Sequence, residues 1–148
     1  MADIRFYHLQ SKTLDQALPD LLVKALAGGK RIVIRTPNHA ETQRLSAHLW
    51  VCRRDDILPH GTKDDGLAQY QPIWITDQNE NPNRADMLVV TQGVAAPTDG
   101  FSLICDMFDG QVDAEVTGAR TRFKSARDAG HTVTYWQQKP TGGWEQKG

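Results

Sequence analysis

Only two cysteines occur in the 148 residues, Cys52 and Cys105. They lie far apart and belong to no C-x-x-C or Cys/His run, which argues against a disulfide-stapled scaffold and fits two reduced thiols in a cytoplasmic protein. No apolar run approaches the roughly 18 residues a membrane span requires. The opening residues, MADIRFYHLQ, hold no apolar stretch of the signal-peptide kind. An excess of one charge sign is also lacking, since 17 basic and 18 acidic residues leave a net charge of −1. No global field therefore draws the chain to nucleic acid or membrane, and any electrostatic function must come from local clusters.

The common chemical motifs are missing as well. Neither G-x-G-x-x-G nor G-x-x-x-x-G-K-[ST] is present, and Gly28-Gly29-Lys30 leads into a β-prone run rather than out of one. The histidines, at 8, 39, 48, 60 and 131, form no H-x-x-x-H or H-E-x-x-H pair, and no G-x-S-x-G elbow occurs. No metal, cofactor or catalytic residue is predicted.

What remains is an ordinary globular composition, 39% hydrophobic and 24% charged, and one domain over residues 1–148 is expected. Strand-like runs alternate with helical ones. Ile4 to Leu9, Arg31 to Arg35, Pro72 to Thr76, Met87 to Thr91, Phe101 to Cys105 and Thr132 to Gln137 read as strands. Leu14, Ala17, Leu18, Leu21, Leu22, Ala25 and Leu26 lie on one helical stripe, which Pro19 interrupts; the helix is expected to start close to Leu18 or to kink there, and to stop at Gly28-Gly29. Asn38 caps a second helix ending near Trp50, and Asp113 to Ala129 forms a third. Cys52 to Gln71 reads as a long polar connection, and Pro140 to Gly143 as a turn that pairs a short segment at Trp144 with the last strand. The alternation predicts an α/β layered fold.

Two stretches stand out. Residues 49–61, LWVCRRDDILPHG, hold Trp, Cys, His and two Asp. Paired carboxylates in a polar loop are usually solvated, so the apolar residues carry more weight. Trp50 with Ile57, Leu58 and Pro59 either close the core beneath the loop or form an apolar patch for a partner. The second stretch is the third helix. At about 100° per residue, Arg120, Lys124 and Arg127 fall within about 60° of one another, with Phe123 on their flank and Arg122 opposite. That face is either a solvated basic edge or a pocket for an acidic peptide, whose carboxylates arginine holds bidentately and whose apolar residue Phe123 floors. Binding nucleic-acid phosphate would use the same charges, but only one aromatic stands among them.

In order and spacing, several segments resemble the chi subunit of bacterial DNA polymerase III: RFYHL, LPDLLVKALAGGKRIVI, LW followed by DDILPHG, QPIWIT, ENPNRADMLVV, ARTRFKSARDAGHTVTYWQQ and GGWEQK. The resemblance implies a Rossmann-like three-layer α/β/α sandwich with a mostly parallel sheet and no functional nucleotide-binding loop. It implies a non-catalytic clamp-loader subunit that acts in DNA replication, in the cytoplasm, as a monomer or as a heterodimer with the small psi subunit. It also implies binding of the acidic C-terminal tail of single-stranded DNA-binding protein (SSB) by Arg120, Phe123, Lys124 and Arg127. Psi, or a repair helicase on the same surface, would meet Trp50, Ile57, Leu58, Pro59 and His60. An aromatic is common in the family where Ile57 stands, and the opposite wall of the tail pocket, Met107 to Gly110, has no residue-by-residue match. The rival readings are a Rossmann-like enzyme, such as a nuclease or nucleotide-dependent activity, and a direct single-stranded DNA binder.

Overall fold

The computed structural model describes residues 2–52 and 58–148. Eight strands form one sheet: β1 (Asp3–Leu9), β2 (Ile32–Arg35), β3 (His60–Gly61), β4 (Ile73–Thr76), β5 (Met87–Thr91), β6 (Leu103–Asp109), β7 (Thr132–Gln138) and β8 (Trp144–Gln146). Their order across the sheet is β3-β4-β2-β5-β6-β1-β7-β8. All neighbours run parallel except the edge pair β7 and β8. The three helices are α1 (Leu14–Ala27), α2 (His39–Val51) and α3 (Asp113–Asp128). This is the expected α/β sandwich with a mostly parallel sheet.

Both faces of the sheet are covered, so the central strands are largely apolar. On one face, Leu18 and Leu22 of α1 and Leu45 and Leu49 of α2 pack on Ile32, Ile34, Ile73, Ile75 and Met87. Each of these leucines is almost wholly buried, a contribution of about 1.5–3 kcal/mol apiece. On the other face α3 lays Val116, Ala119 and Phe123 against Ile4, Phe6, Ile104 and Phe108. Val33, Trp74 and Leu88 on that face are covered not by a helix but by loop residues, among them Val94, Ala96 and Phe101.

Helix α1 corrects one expectation. It begins at Leu14, not near Leu18, and continues through the buried Pro19. Thr13 and Gln16 form a reciprocal capping box that starts it. Proline at 19 has no N–H to donate to the carbonyl of Asp15. That carbonyl instead accepts a 2.8 Å hydrogen bond from Nε2 of His48 on α2. The helix-breaking residue is tolerated because its neighbour satisfies the freed acceptor. At the other end, Gly29 adopts φ +79°, Lys30 N–H bonds the Ala25 carbonyl and Gly29 N–H that of Leu26, the glycine stop that the Gly-Gly pair predicts.

Two further differences share a cause. Strand β6 starts at Leu103 and runs to Asp109, beyond the expected end at Cys105, and the polar connection after α2 contains the two-residue strand β3 and a 3₁₀ turn at Ala68–Tyr70. In both places a polar residue is buried within a strand, where hydrophobicity patterns do not look for one. Asp106 is 4% exposed and His60 3%. Asp106 is held by Arg122 of α3 through bonds of 2.7 and 3.0 Å. Burial pushes its carboxyl upward, and Arg122 pulls it back.

Candidate functional site

Helix α3 presents Arg120, Lys124 and Arg127 to solvent. Among the described residues none of the three has a carboxylate partner, whereas Arg122, on the opposite side, is consumed by Asp106. The separation follows from the helical repeat, since residues four apart or seven apart share a side. The acidic residues of α3 lie mainly in its first turn, at Asp113 and Glu115, and Arg127 in its last, so the charge order also suits the helix dipole. Unneutralised cations on one face attract an anion more strongly than the chain's balanced charge suggests.

Phe123 borders this row and is partly buried. Its ring stands edge-on to Phe6 of β1, with centroids 5.6 Å apart, and to Tyr135 of β7, at 5.9 Å. Gly148 lies against the same Phe123 and Tyr135 side chains. Beyond Tyr135, His8 of β1 places Nδ1 2.6 Å from the Tyr135 hydroxyl and its ring 5.0 Å from Phe108. Burial holds the His8 imidazole below its ordinary value, and the charge of Arg120 adds to that. Burial raises the Tyr135 hydroxyl, and Arg120 opposes the rise. The arrangement is an apolar floor of ring edges, a hydroxyl–imidazole pair at one end and a row of free cations alongside.

Sequence reasoning finds Arg120, Lys124, Arg127 and Phe123 but misses Tyr135 and His8. Their proximity depends on β1 lying beside β7, with Phe6 level with Tyr135, and no local pattern encodes that. The segment Met107 to Gly110, for which the resemblance offers no residue-by-residue match, divides between the two faces of the sheet. Met107 faces the other side of the sheet. Phe108 supports the His8 ring from within. Gly110 lies so close that a Cβ there would come within 2.3 Å of His8 Nε2.

The second candidate surface is at the end of α2. Trp50 is 53% exposed and Val51 77%, and Pro59 is also exposed. Leu58 and His60, expected at the surface, are inside at 2% and 3%. Leu58 packs into the core with Leu45 and Leu49. His60 donates from Nδ1 to the Leu58 carbonyl at 2.7 Å, and its Nε2 meets the hydroxyl of Ser46 at 3.0 Å and its carbonyl at 3.1 Å. The Trp50 ring lies over His60 with centroids 4.2 Å apart. The buried histidine thus supports an exposed tryptophan. Ile57 lies outside the described residues.

The parallel sheet also creates the crevice where nucleotide-binding folds hold phosphate. Adjacent strands β1 and β6 send the chain to opposite faces, into α1 and α3. A cavity of about 400 Å³ opens at their carboxyl ends. The starts of all three helices meet it, yet each brings its own carboxylate: Asp15 of α1, Glu41 of α2 and Glu115 of α3. Arg44 is spent on Asp15 at 2.6 Å and Glu41 at 2.9 Å. Bonds from Gln92 and Arg44 hold Glu41 below its ordinary value, while burial raises Glu115. The helix dipoles are already answered, and the excess negative charge repels a phosphate.

Comparison with known proteins places the chain in a family. Residues 1–134 match the family model described as DNA polymerase III chi subunit, HolC. A probable DNA polymerase III subunit chi of Rickettsia prowazekii (strain Madrid E) is 33% identical over 99 residues, covering 67% of this chain and 58% of that protein. The match thus spans less than two thirds of the relative's length.

Proposed function

The chain belongs to the DNA polymerase III chi-subunit family, and on that premise we propose that it is a non-catalytic adaptor of the replicative polymerase with two partner-binding surfaces. The face of α3 binds the acidic C-terminal tail of SSB. The surface around Trp50 binds psi, or a repair helicase in its place, and so links SSB-coated DNA to the clamp loader. The protein works in the cytoplasm at the replisome, alone or as a heterodimer with psi, and reaches DNA mainly through SSB.

The observation that carries the first half is the row of free cations, Arg120, Lys124 and Arg127, beside the half-buried Phe123 ring. An aspartate-rich tail ending in apolar residues and a free carboxylate matches it in charge and in hydrophobicity. For the second half, the exposed Trp50 ring held over His60 supports a partner contact, because tryptophan is a favoured interface anchor. Leu58 and His60 act from beneath this surface, and contact falls to Trp50, Val51 and Pro59.

Calorimetric titration with an SSB tail peptide tests the adaptor reading. Removing one charge-assisted hydrogen bond costs about 1.5–3 kcal/mol, so Arg120→Ala should weaken binding by roughly 10- to 100-fold. Affinity should also fall as salt rises. Absence of binding at low salt, or binding indifferent to both Arg120→Ala and Phe123→Ala, would overturn the reading. A pull-down with Trp50→Ala that still recovers psi or the helicase would remove the second surface.

A further inference from the structure

Lys124 and Arg127 continue the cation row along α3, and Arg120 stands one turn before Phe123 on the same helix. His8 and Tyr135 are 127 residues apart in sequence and 2.6 Å apart in space. Both are half-buried on the α3 side of the sheet, and the charge of Arg120 reaches both. Phe108 and Gly110 fix the His8 ring from behind. Tyr135 in turn stands edge-on to Phe123. Arg120 is one helical turn from Phe123 toward the start of α3, the end at which Gly110 meets His8, so the guanidinium and the Tyr135 hydroxyl border the same floor of aromatic rings.

We propose that Tyr135 is a ligand-contacting residue of the acidic-peptide surface and that His8 is its positioning residue. The peptide's terminal carboxylate sits between the Arg120 guanidinium and the Tyr135 hydroxyl. Its last apolar side chain lies on the Phe123 and Tyr135 rings, and its acidic residues run along α3 past Lys124 to Arg127. This rests on the reading of α3 as the acidic-peptide surface.

The geometry sets the direction. A terminal carboxylate offers about four acceptor sites, more than one guanidinium fills, and the neutral hydroxyl is the additional donor at hand. With the proton on Nδ1, His8 donates to the phenol oxygen and leaves the phenol proton free to turn toward the carboxylate. The apolar residue next to that carboxylate requires ring surface. Phe123 lies about one turn from both Arg120 and Arg127, but His8 lies against Gly110, just before the start of α3, so the hydroxyl–imidazole pair is on the Arg120 side and Arg127 suits aspartates further from the carboxylate.

The test compares two probes: an aspartate-rich peptide ending in an apolar residue with a free carboxylate, and the same peptide amidated at its C-terminus. Wild-type protein should bind the amidated peptide about tenfold more weakly. Tyr135→Phe, which keeps the ring, should weaken the free-acid peptide by a similar factor and leave the amidated one unchanged. A general folding defect would weaken both. His8→Gln should reproduce the Tyr135→Phe effect and add nothing to it in the double variant. A nitroxide on the peptide's N-terminus should broaden the amide signals near Arg127 and spare those near His8. If Arg120→Ala weakens binding while Tyr135→Phe binds both peptides as wild type does, this proposal falls and the α3 reading stands. If wild type binds neither peptide, both fall. Broadening near His8 overturns the orientation.

Discussion

Arg120 and Arg122 stand two residues apart on one helix, yet truncating them should have opposite consequences. The Arg122 side chain is 21% exposed and forms two hydrogen bonds with Asp106, whose side chain is 5% exposed. Arg122→Ala leaves that carboxylate buried without a partner, a loss of about 3–5 kcal/mol for a broken buried pair. In a chain of this size that should lower Tm by about 10 °C. Arg120 is exposed and has no carboxylate partner among the described residues. Its truncation should move stability by no more than about 0.5 kcal/mol while weakening peptide binding by roughly 10- to 100-fold. Urea denaturation followed by circular dichroism measures both. Burial already holds the Asp106 carboxyl above its ordinary value of 3.8 against the pull of Arg122. Without Arg122 the folded-state value rises further above the unfolded one. The variant's deficit should thus be complete above its own raised value, shrink as the pH falls toward the folded value of the wild-type carboxyl, which itself lies above 3.8, and vanish below that. If Arg122→Ala and Arg120→Ala prove equally stable at neutral pH, the assignment of one to structure and the other to function is wrong.

Other outcomes follow from the same contacts. His48→Ala should cost about 1 kcal/mol by removing the donor to the Asp15 carbonyl, and less in a Pro19→Ala background, where the helix N–H is restored; equal costs in both backgrounds would disprove the link between Pro19 and His48. Leu58→Ala should cost about 2–5 kcal/mol as a core truncation, whereas Trp50→Ala, at a half-exposed site, should cost less than about 1 kcal/mol; thermal melts that reverse this order would refute the division between support and surface. By NMR, the His8 imidazole should titrate below 6.5, and Arg120→Ala should raise its midpoint only partway, because burial is the larger cause. With its folded value lowered, His8 makes the wild-type fold less stable as pH falls through 6.5, and the variant should lose less over that window.

The candidate site was legible to different depths. Arg120, Lys124, Phe123 and Arg127 fall together on any helix of that sequence, so their grouping survives whatever the helix packs against. The cap at Asn38 and the glycine stop at Gly28-Gly29 are equally local, whereas Pro19 drew the expected helix start toward Leu18 and away from the capping box at Thr13. Pro19 was misleading because its cost depends on whether the freed carbonyl finds another donor, and His48 arrives from a different helix. Leu58 and His60 look like surface residues in a charged loop, and only the edge strand β3 and the polar contacts to Ser46 reveal that they are inside.

The amino-acid sequence by itself determined the alternation of helices and strands, the glycine stop of α1, the basic face of α3 and the family, because these depend on residue spacing along the chain and on patterns that persist through it. Tertiary structure alone decided which charges are free. It matched Arg122 with a carboxylate on β6 and left Arg120 without one among the described residues, set His8 against Tyr135 across 127 residues, and put a carboxylate at each helix start around the β1–β6 crevice. The physical reason is that burial and pairing are properties of neighbours in space, and strand order, which no local pattern contains, chooses those neighbours.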